Sequence, residues 1–188
     1  MRRWDVINHL ISKYGYKRYL EIGVQDYTSN CAKINAEYKV AVDPAPRNQC
    51  DFIGTSDEFF AQNKEQFDII FIDGLHHSEQ VDKDIVNSLA CLSEGGTIVM
   101  HDCNPTTEVM QRTPDHGGEW TGDVWKSVYK IRQRPDLFVQ VVNTDYGCGI
   151  VQRGKQEVID FGDVELTYEF LDNNRGKILN LVDPNQWK

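Results

Sequence analysis

Two short apolar runs that each stop at an acidic position constrain this chain more than any other feature. Ile69 to Ile72 runs into Asp73, and Thr97 to Met100 runs into His101-Asp102, within FDIIFIDGLHHSEQVDKDIVNSLACLSEGGTIVMHDCNP at 67–105. Continuous apolar runs of this length suit strands covered on both faces, the usual condition of a parallel sheet. Between them Val81, Ile85, Leu89 and Leu92 recur at helical spacing, so a helix over 78–92 turns one side to that sheet. Neighbouring parallel strands here would gather Asp73, His76, His101 and Asp102 at their carboxyl ends. In open α/β sheets that edge is where ligands bind.

The rest of the chain continues the alternation. Trp4, Ile7, Leu10 and Ile11 predict an N-terminal helix closed by Gly15. A strand over 19–24 leads into a helix over 28–36 with Ser29 near its start. A strand over 40–42 is stopped by Asp43-Pro44, and a short helix over 56–62 takes Ser56 or Asp57 as its N-cap. Gly95-Gly96 reads as the turn into the strand over 97–100. A long loop follows over 103–120, then a helix over 123–132 and strands over 138–142 and 149–152. The last two lie close enough in sequence to form an antiparallel hairpin. Residues 166–181 read as helical, interrupted near 173–176. The expected fold is α/β: a Rossmann-like, doubly wound, mostly parallel seven-stranded sheet with an antiparallel closing hairpin. At 188 residues one domain is expected, with an N-terminal helix at 1–14, a loop at 103–122 long enough to serve as a lid, and a C-terminal helical segment at 163–188.

Composition narrows the partners. The net charge of −9 opposes binding to a phosphate backbone, so nucleic acid is not the expected partner and a small molecule is. No run approaches the ~20 apolar residues a membrane span needs. The N-terminus, Arg2-Arg3-Trp4-Asp5, lacks the apolar core of a signal peptide. The five cysteines are odd in number and none is spaced C-x-x-C, which points away from a disulfide framework or zinc knuckle. The expectation is a cytoplasmic protein. An exposed strand edge or the C-terminal segment would allow a homodimer, though nothing demands one.

Glu21-Ile22-Gly23-Val24 follows the first strand, and Gly23 lets the backbone approach a ligand closely. The full G-x-G-x-x-G pattern is missing, since Gln25 and Thr28 stand near where later glycines would fall. A pyrophosphate would want those glycines; a ligand with no phosphate there would not. Asp43 ends the second strand 20 residues later, a position from which an acid grips two ribose hydroxyls. It is also ordinary turn chemistry before a proline.

On YLEIGV at 19–24, VDP at 42–44, FDIIFIDGLHH at 67–77 and GGTIVMHD at 95–102, the chain resembles a class I S-adenosylmethionine-dependent methyltransferase. It is most similar to the small bacterial branch in which the fourth strand ends in Asp-Gly-x-His-x(4)-Val-x-x-Asp and the fifth in His-Asp. Here those are Asp73, Gly74, His76, Val81 and Asp84, then His101 and Asp102. The resemblance covers residues 15–105 and implies S-adenosylmethionine as cofactor. It implies that Glu21, Gly23 and Ser29 line the methionine and ribose part, that Asp43 holds the ribose hydroxyls, and that Ser56-Asp57 sit near the adenine.

Methyl transfer to a hydroxyl needs an aligned acceptor and help in losing a proton. His76 and His101, with Asp73, are the catalytic candidates, because imidazole titrates near neutrality. Asp73, His101 and Asp102 are alternatively a ligand set for Mg2+ or another divalent cation, which would lower the pKa of a bound hydroxyl. His77 reads as a helix-start residue, Asp84 as a local pairing residue, and Trp125 as core. The loop residues His116, Gly117, Gly118 and Trp120 belong to the lid region. The expected reaction is O-methylation of a small hydroxylated acceptor such as a sugar or secondary metabolite. A dinucleotide-binding oxidoreductase or a non-catalytic protein on the same sheet is the alternative.

Overall fold

The structure, a computed structural model, describes residues 1–115 and 117–187. Its strands are β1 (Arg18–Ile22), β2 (Tyr38–Asp43), β3 (Phe52–Ile53), β4 (Phe67–Ile72), β5 (Leu92–Met100), β6 (Leu137–Val142), β7 (Cys148–Arg153) and β8 (Leu181–Val182). Its helices are α1 (Arg3–Tyr14), α2 (Ser56–Gln62), α3 (Ser78–Cys91), α4 (Trp125–Arg132) and α5 (Tyr168–Leu179). The strands make one sheet in the order β3-β2-β1-β4-β5-β7-β6-β8. β3 through β5 are parallel, β7 runs antiparallel to both β5 and β6, and β8 pairs parallel with β6. This is the doubly wound α/β sheet with a closing hairpin. It has eight strands rather than seven, because the two-residue β8 extends the edge beyond β6. The order reverses between β1 and β4, which opens a crevice at their carboxyl ends.

Successive side chains of the central strands alternate between two covered faces with the period of two that a pleated sheet imposes. Leu20 and Ile22 of β1 join the core beneath α2, α3, α4 and α5. Tyr19, on the opposite face, packs with Val6, Ile7, Leu10 and Ile11 of α1. Those four apolar side chains on one side of α1 contribute roughly 1.5–3 kcal/mol each, and Gly15 closes the helix in the left-handed conformation.

Several local expectations give way to tertiary context. Residues 28–36 do not form a helix; they form a turn and a short 3-10 segment, Cys31–Lys33. Cys31 and Ile34 there are buried in the α1-side core, so the loop fills the space a helix would have covered. The N-cap of α2 is Thr55, one residue before Ser56 and two before Asp57, in a reciprocal capping box with Glu58. Gly95-Gly96 lies within β5, where the register against β4 shifts between Phe67 and Ile69. A Cβ at Gly96 would come within 2.8 Å of the Asp68 carbonyl oxygen, so a side chain there would collide with β4. α4 begins at Trp125. α5 runs unbroken through 173–176, since Leu171, Ile178 and Leu179 on its buried side outweigh the cost of Gly176. Among the described residues no helix is long and apolar enough to cross a membrane.

Candidate active site

A cleft of about 700 Å³ opens at the carboxyl ends of β1, β2 and β4. Glu21, Gly23, Ser29, Asp43, Ser56, Asp57, Asp73 and His76, all singled out in the sequence, line it. His101 and Asp102 do not; they lie behind its wall, 6% and 3% exposed. Arg3, Asn30, Gln80 and Asp84 line it as well.

Gly23 has φ +87°, and a Cβ there would sit 2.3 Å from the Asp73 carbonyl oxygen. The end of β1 thus passes directly against the end of β4, a contact only glycine permits. Glu21 is 1% exposed. Its Oε2 accepts from the Tyr19 hydroxyl at 2.5 Å and from Asn30 Nδ2 at 3.0 Å. Burial pushes its carboxyl up to about 7 despite those donors. Asp43 accepts from the backbone N–H of Gln25 at 2.9 Å and of Ala45 at 2.7 Å, so it organises its turn while facing the cleft. At the far end Gln80 Nε2 donates to Ser56 Oγ, Asp57 Oδ1 and Asp84 Oδ1. Asp84, 1% exposed, is raised above the ordinary carboxylate range, chiefly by burial.

The other end holds a knot of charge. His101 Nδ1 lies 3.1 Å from both Asp73 Oδ1 and Asp102 Oδ2, and its Nε2 lies 3.7 Å from Asp145 Oδ2. Burial pulls His101 down, but the surrounding carboxylates dominate and hold it well above the ordinary imidazole range. Asp73 is held low, because the His101 charge and the imidazole hydrogen bonds outweigh burial. His76 reaches the cleft with Nε2 3.4 Å from Asp73 Oδ1 and Nδ1 3.2 Å from Asp102 Oδ2. Burial lowers His76, while Asp73 and Asp102 raise it by more. Arg3, from the start of α1, sits 3.8 Å from Asp73 and 3.3 Å from Asp145. Asp145 belongs to the β6–β7 turn and has φ +48°. No motif marks Arg3 or Asp145 in the sequence; the closure of α1 and the hairpin onto one sheet edge brings them in.

Among the described residues, Asp73, His76 and Asp102 can present ligand atoms within 4.8 Å of one another. His101, the imidazole expected from the sequence, lies against the same two carboxylates. His76 Nδ1 is buried without a well-aligned hydrogen bond, as a ligand nitrogen would be. Two carboxylates and an imidazole suit a divalent cation of the magnesium-to-zinc series.

The loop after β5 is anchored at both ends. Asn104 N–H donates to the Tyr146 carbonyl at 2.8 Å, and Thr121 N–H to the Met110 carbonyl at 2.9 Å. Trp120 stacks on His76, and Asp123 accepts from the Ser78 N–H at the start of α3. Trp125 is fully buried in the core. His116 lies outside the described residues. Gln25 lines the cleft, whereas Tyr27 packs against the α1-side core.

A family model described as a methyltransferase domain matches residues 15–103, the stretch from the end of α1 through β5. That match spans just under half of the chain. No curated protein matches it. Solved structures similar to this chain include a provisionally assigned caffeoyl-CoA O-methyltransferase from Staphylococcus aureus, at 19% identity and TM-score 0.62, covering 80% of this chain and 82% of that one. The O-methyltransferase TomG from Streptomyces achromogenes, solved with S-adenosylmethionine, matches at 15% identity and TM-score 0.56, covering 79% and 77%. The mycinamycin-pathway methyltransferase MycE, solved with Mg, S-adenosylhomocysteine and mycinamycin VI, matches at 17% identity and TM-score 0.53, covering 86% of this chain and 51% of that one. At these identities the likeness is one of fold.

Proposed function

We propose that the protein is an S-adenosylmethionine-dependent O-methyltransferase acting on a small hydroxylated acceptor, a sugar or secondary metabolite. The observation that carries this is the charge of the cleft. Among the described residues, Glu21, Asp26, Asp43, Asp57, Asp73, Asp84 and Asp115 line it, against the Arg3 guanidinium and the His76 imidazole. A cofactor bearing an ammonium and a sulfonium complements such a wall, and a pyrophosphate is repelled by it. Asp26, held down to about 2 chiefly by hydrogen bonds from Thr28 and Asn48, keeps a fixed negative charge where a dinucleotide would want a glycine-rich turn. The absence of a regular helix over 28–36 further weakens the dinucleotide alternative.

In this reading Glu21, Gly23 and Ser29 receive the methionine and ribose part, Asp43 the ribose hydroxyls, and Ser56 with Asp57 the adenine side. The cofactor supplies an activated methyl group. His76, at the cleft wall between Asp73 and Asp102, takes the acceptor's proton. His101 sits one layer deeper and orients Asp73 and Asp102. Asp115 and Trp120 line the acceptor side. A divalent cation held by Asp73, His76 and Asp102 is a second reading, favoured by the convergence of their ligand atoms; it would polarise the acceptor hydroxyl.

Calorimetric titration with S-adenosylmethionine, S-adenosylhomocysteine and NAD tests the cofactor. Micromolar binding of the first two supports the reading, and binding of NAD alone overturns it. Turnover of hydroxylated acceptors with Mg2+ and with a chelator then separates the two roles of His76.

A further inference from the structure

Asp102 is buried, and its backbone has φ +59°, a conformation that side chains disfavour. A non-glycine residue held there is strained and persists only where its surroundings over-determine it. The carboxylate it carries is central to the proposed chemistry, since its Oδ2 lies 3.2 Å from His76 Nδ1 and 3.1 Å from His101 Nδ1. The chain that follows it is gripped from two sides. The β6–β7 turn receives the Cys103 N–H on the Gly147 carbonyl at 3.1 Å, the Asn104 N–H on the Tyr146 carbonyl at 2.8 Å and Asn104 Nδ2 on Asn143 Oδ1 at 3.0 Å. From the other side α5 supplies Arg175, whose Nη1 donates to Asn104 Oδ1 at 2.5 Å and to the Pro105 carbonyl at 2.7 Å. Its Nη2 donates to Asp172 Oδ1 at 2.8 Å and to the Tyr168 hydroxyl at 3.3 Å, and that hydroxyl donates to the Thr106 carbonyl at 2.7 Å. Residues 102–105 are buried, and a buried carbonyl needs a donor; Arg175 supplies the one at Pro105.

We propose that Arg175 is a positioning residue for the methyl transfer: by gripping Asn104 and Pro105 it keeps Asp102 in the left-handed turn that sets its carboxylate against His76. The proposal rests on the reading of His76 as the group that takes the acceptor's proton, and it brings in a residue of α5, outside the matched stretch 15–103. A guanidinium suits the task, because its fixed planar fork of donors reaches two oxygens of the turn and its own helix at once. The Arg175 side chain is 18% exposed and Asn104 5%, so their hydrogen bond is shielded from water. A small displacement of Asp102 turns the His76 imidazole away from the acceptor hydroxyl, and misplacement on that scale is costly in proton transfer.

The test is nuclear magnetic resonance of the imidazole Cε1–H groups in isotope-labelled protein saturated with S-adenosylhomocysteine, with denaturant unfolding as the measure of stability. Arg175→Met is expected to displace the His76 and His101 signals, which face Asp102, and to leave in place that of His9, which packs on Trp187. Asn104→Ala removes the receiving oxygen; it is expected to give the same pattern, and the double variant to add little to either. Arg175→Lys keeps a donor but not the planar fork, so it is expected to recover part of the displacement. With Asn104→Ala it carries the comparison should Arg175→Met fail to fold. A lowered unfolding midpoint with the His76 and His101 signals unmoved would assign Arg175 to helix packing alone and overturn the proposal. So would displacements that add in full in the double variant, since Arg175 and Asn104 would then act independently. Failure of the wild type to bind S-adenosylhomocysteine would instead overturn the cofactor reading, and the same signals recorded without ligand would decide the role of Arg175.

Discussion

Trp120 lies stacked on His76, ring centroids 4.9 Å apart and planes inclined by 24°, so a loop residue covers one face of the imidazole at the cleft wall. Trp120 Nε1 donates to the Arg112 carbonyl at 2.6 Å, and Asp123 N–H donates to the His76 carbonyl at 3.1 Å. The loop and His76 are therefore built as one unit. Trp120→Ala is expected to cost about 1 kcal/mol of stability, the worth of an aromatic pair. Turnover should fall about tenfold as His76 loses its orientation. S-Adenosylhomocysteine affinity should hold. Denaturant unfolding, initial rates and calorimetry read the three quantities, and intact turnover would detach Trp120 from the reaction.

Glu21 links stability to pH. Its carboxyl sits at about 7 against an ordinary value of 4.5, so the folded chain holds this proton more tightly than the unfolded one. The group's contribution is full below about pH 4.5 and is lost as pH rises through 7, by about 3 kcal/mol at most. Glu21→Gln is expected to flatten that decline between pH 5 and 8 in thermal unfolding. A cationic ligand beside Glu21 should also expel its proton. Calorimetry at pH 6.5 in buffers of different ionisation enthalpy should register proton release in the wild type and none in Glu21→Gln.

Asp43 organises its turn and, in the proposed reading, also holds the cofactor's ribose, and its substitution should show both. Removing the acceptor for the Gln25 and Ala45 N–H groups costs about 1–2 kcal/mol. Asp43→Ala is expected to lower cofactor affinity about tenfold or more, beyond what that destabilisation explains. A calorimetric affinity equal to the wild type's would reduce Asp43 to a turn residue.

Gly23→Ala should be severe. The added Cβ would press on the Asp73 carbonyl and Gly74 Cα at 2.3 and 2.4 Å, in a backbone conformation that disfavours side chains. A loss of about 3 kcal/mol or more is expected from backbone displacement and strain. Cofactor affinity should fall with it, since β1 and β4 would separate at the cleft. An unfolding midpoint close to the wild type's would contradict that contact.

His101 stands among Asp73, Asp102 and Asp145, so removing its positive charge leaves three carboxylates facing one another. His101→Ala is expected to cost about 3 kcal/mol or more near neutral pH. Turnover should be lost while S-adenosylhomocysteine affinity is nearly kept. Loss of affinity in step with activity would place His101 in cofactor binding instead.

The strand ends that carry Glu21, Asp43, Asp73 and His101-Asp102 were legible because buried parallel strands write themselves as apolar runs, and the chain turns polar where they end. The parallel sheet and closing hairpin were legible for the same reason: their periodicities are local. Other features depended on contacts between distant segments. Residues 28–36, expected as a helix after the first strand, do not form one, because α1 already covers that face of the sheet and Cys31 and Ile34 fill the remaining gap. The two-residue β8 has no periodicity to read and forms only because α5 delivers it beside β6. The placement of His76 at the cleft and His101 behind it follows from side-chain direction and burial, which sequence spacing leaves open. Arg3 and Asp145, 142 residues apart, meet only in the folded chain. Local hydrophobic pattern sets which edge of the sheet carries chemistry; which charges converge there is decided by packing, through the desolvation and pairing of groups that the unfolded chain keeps apart.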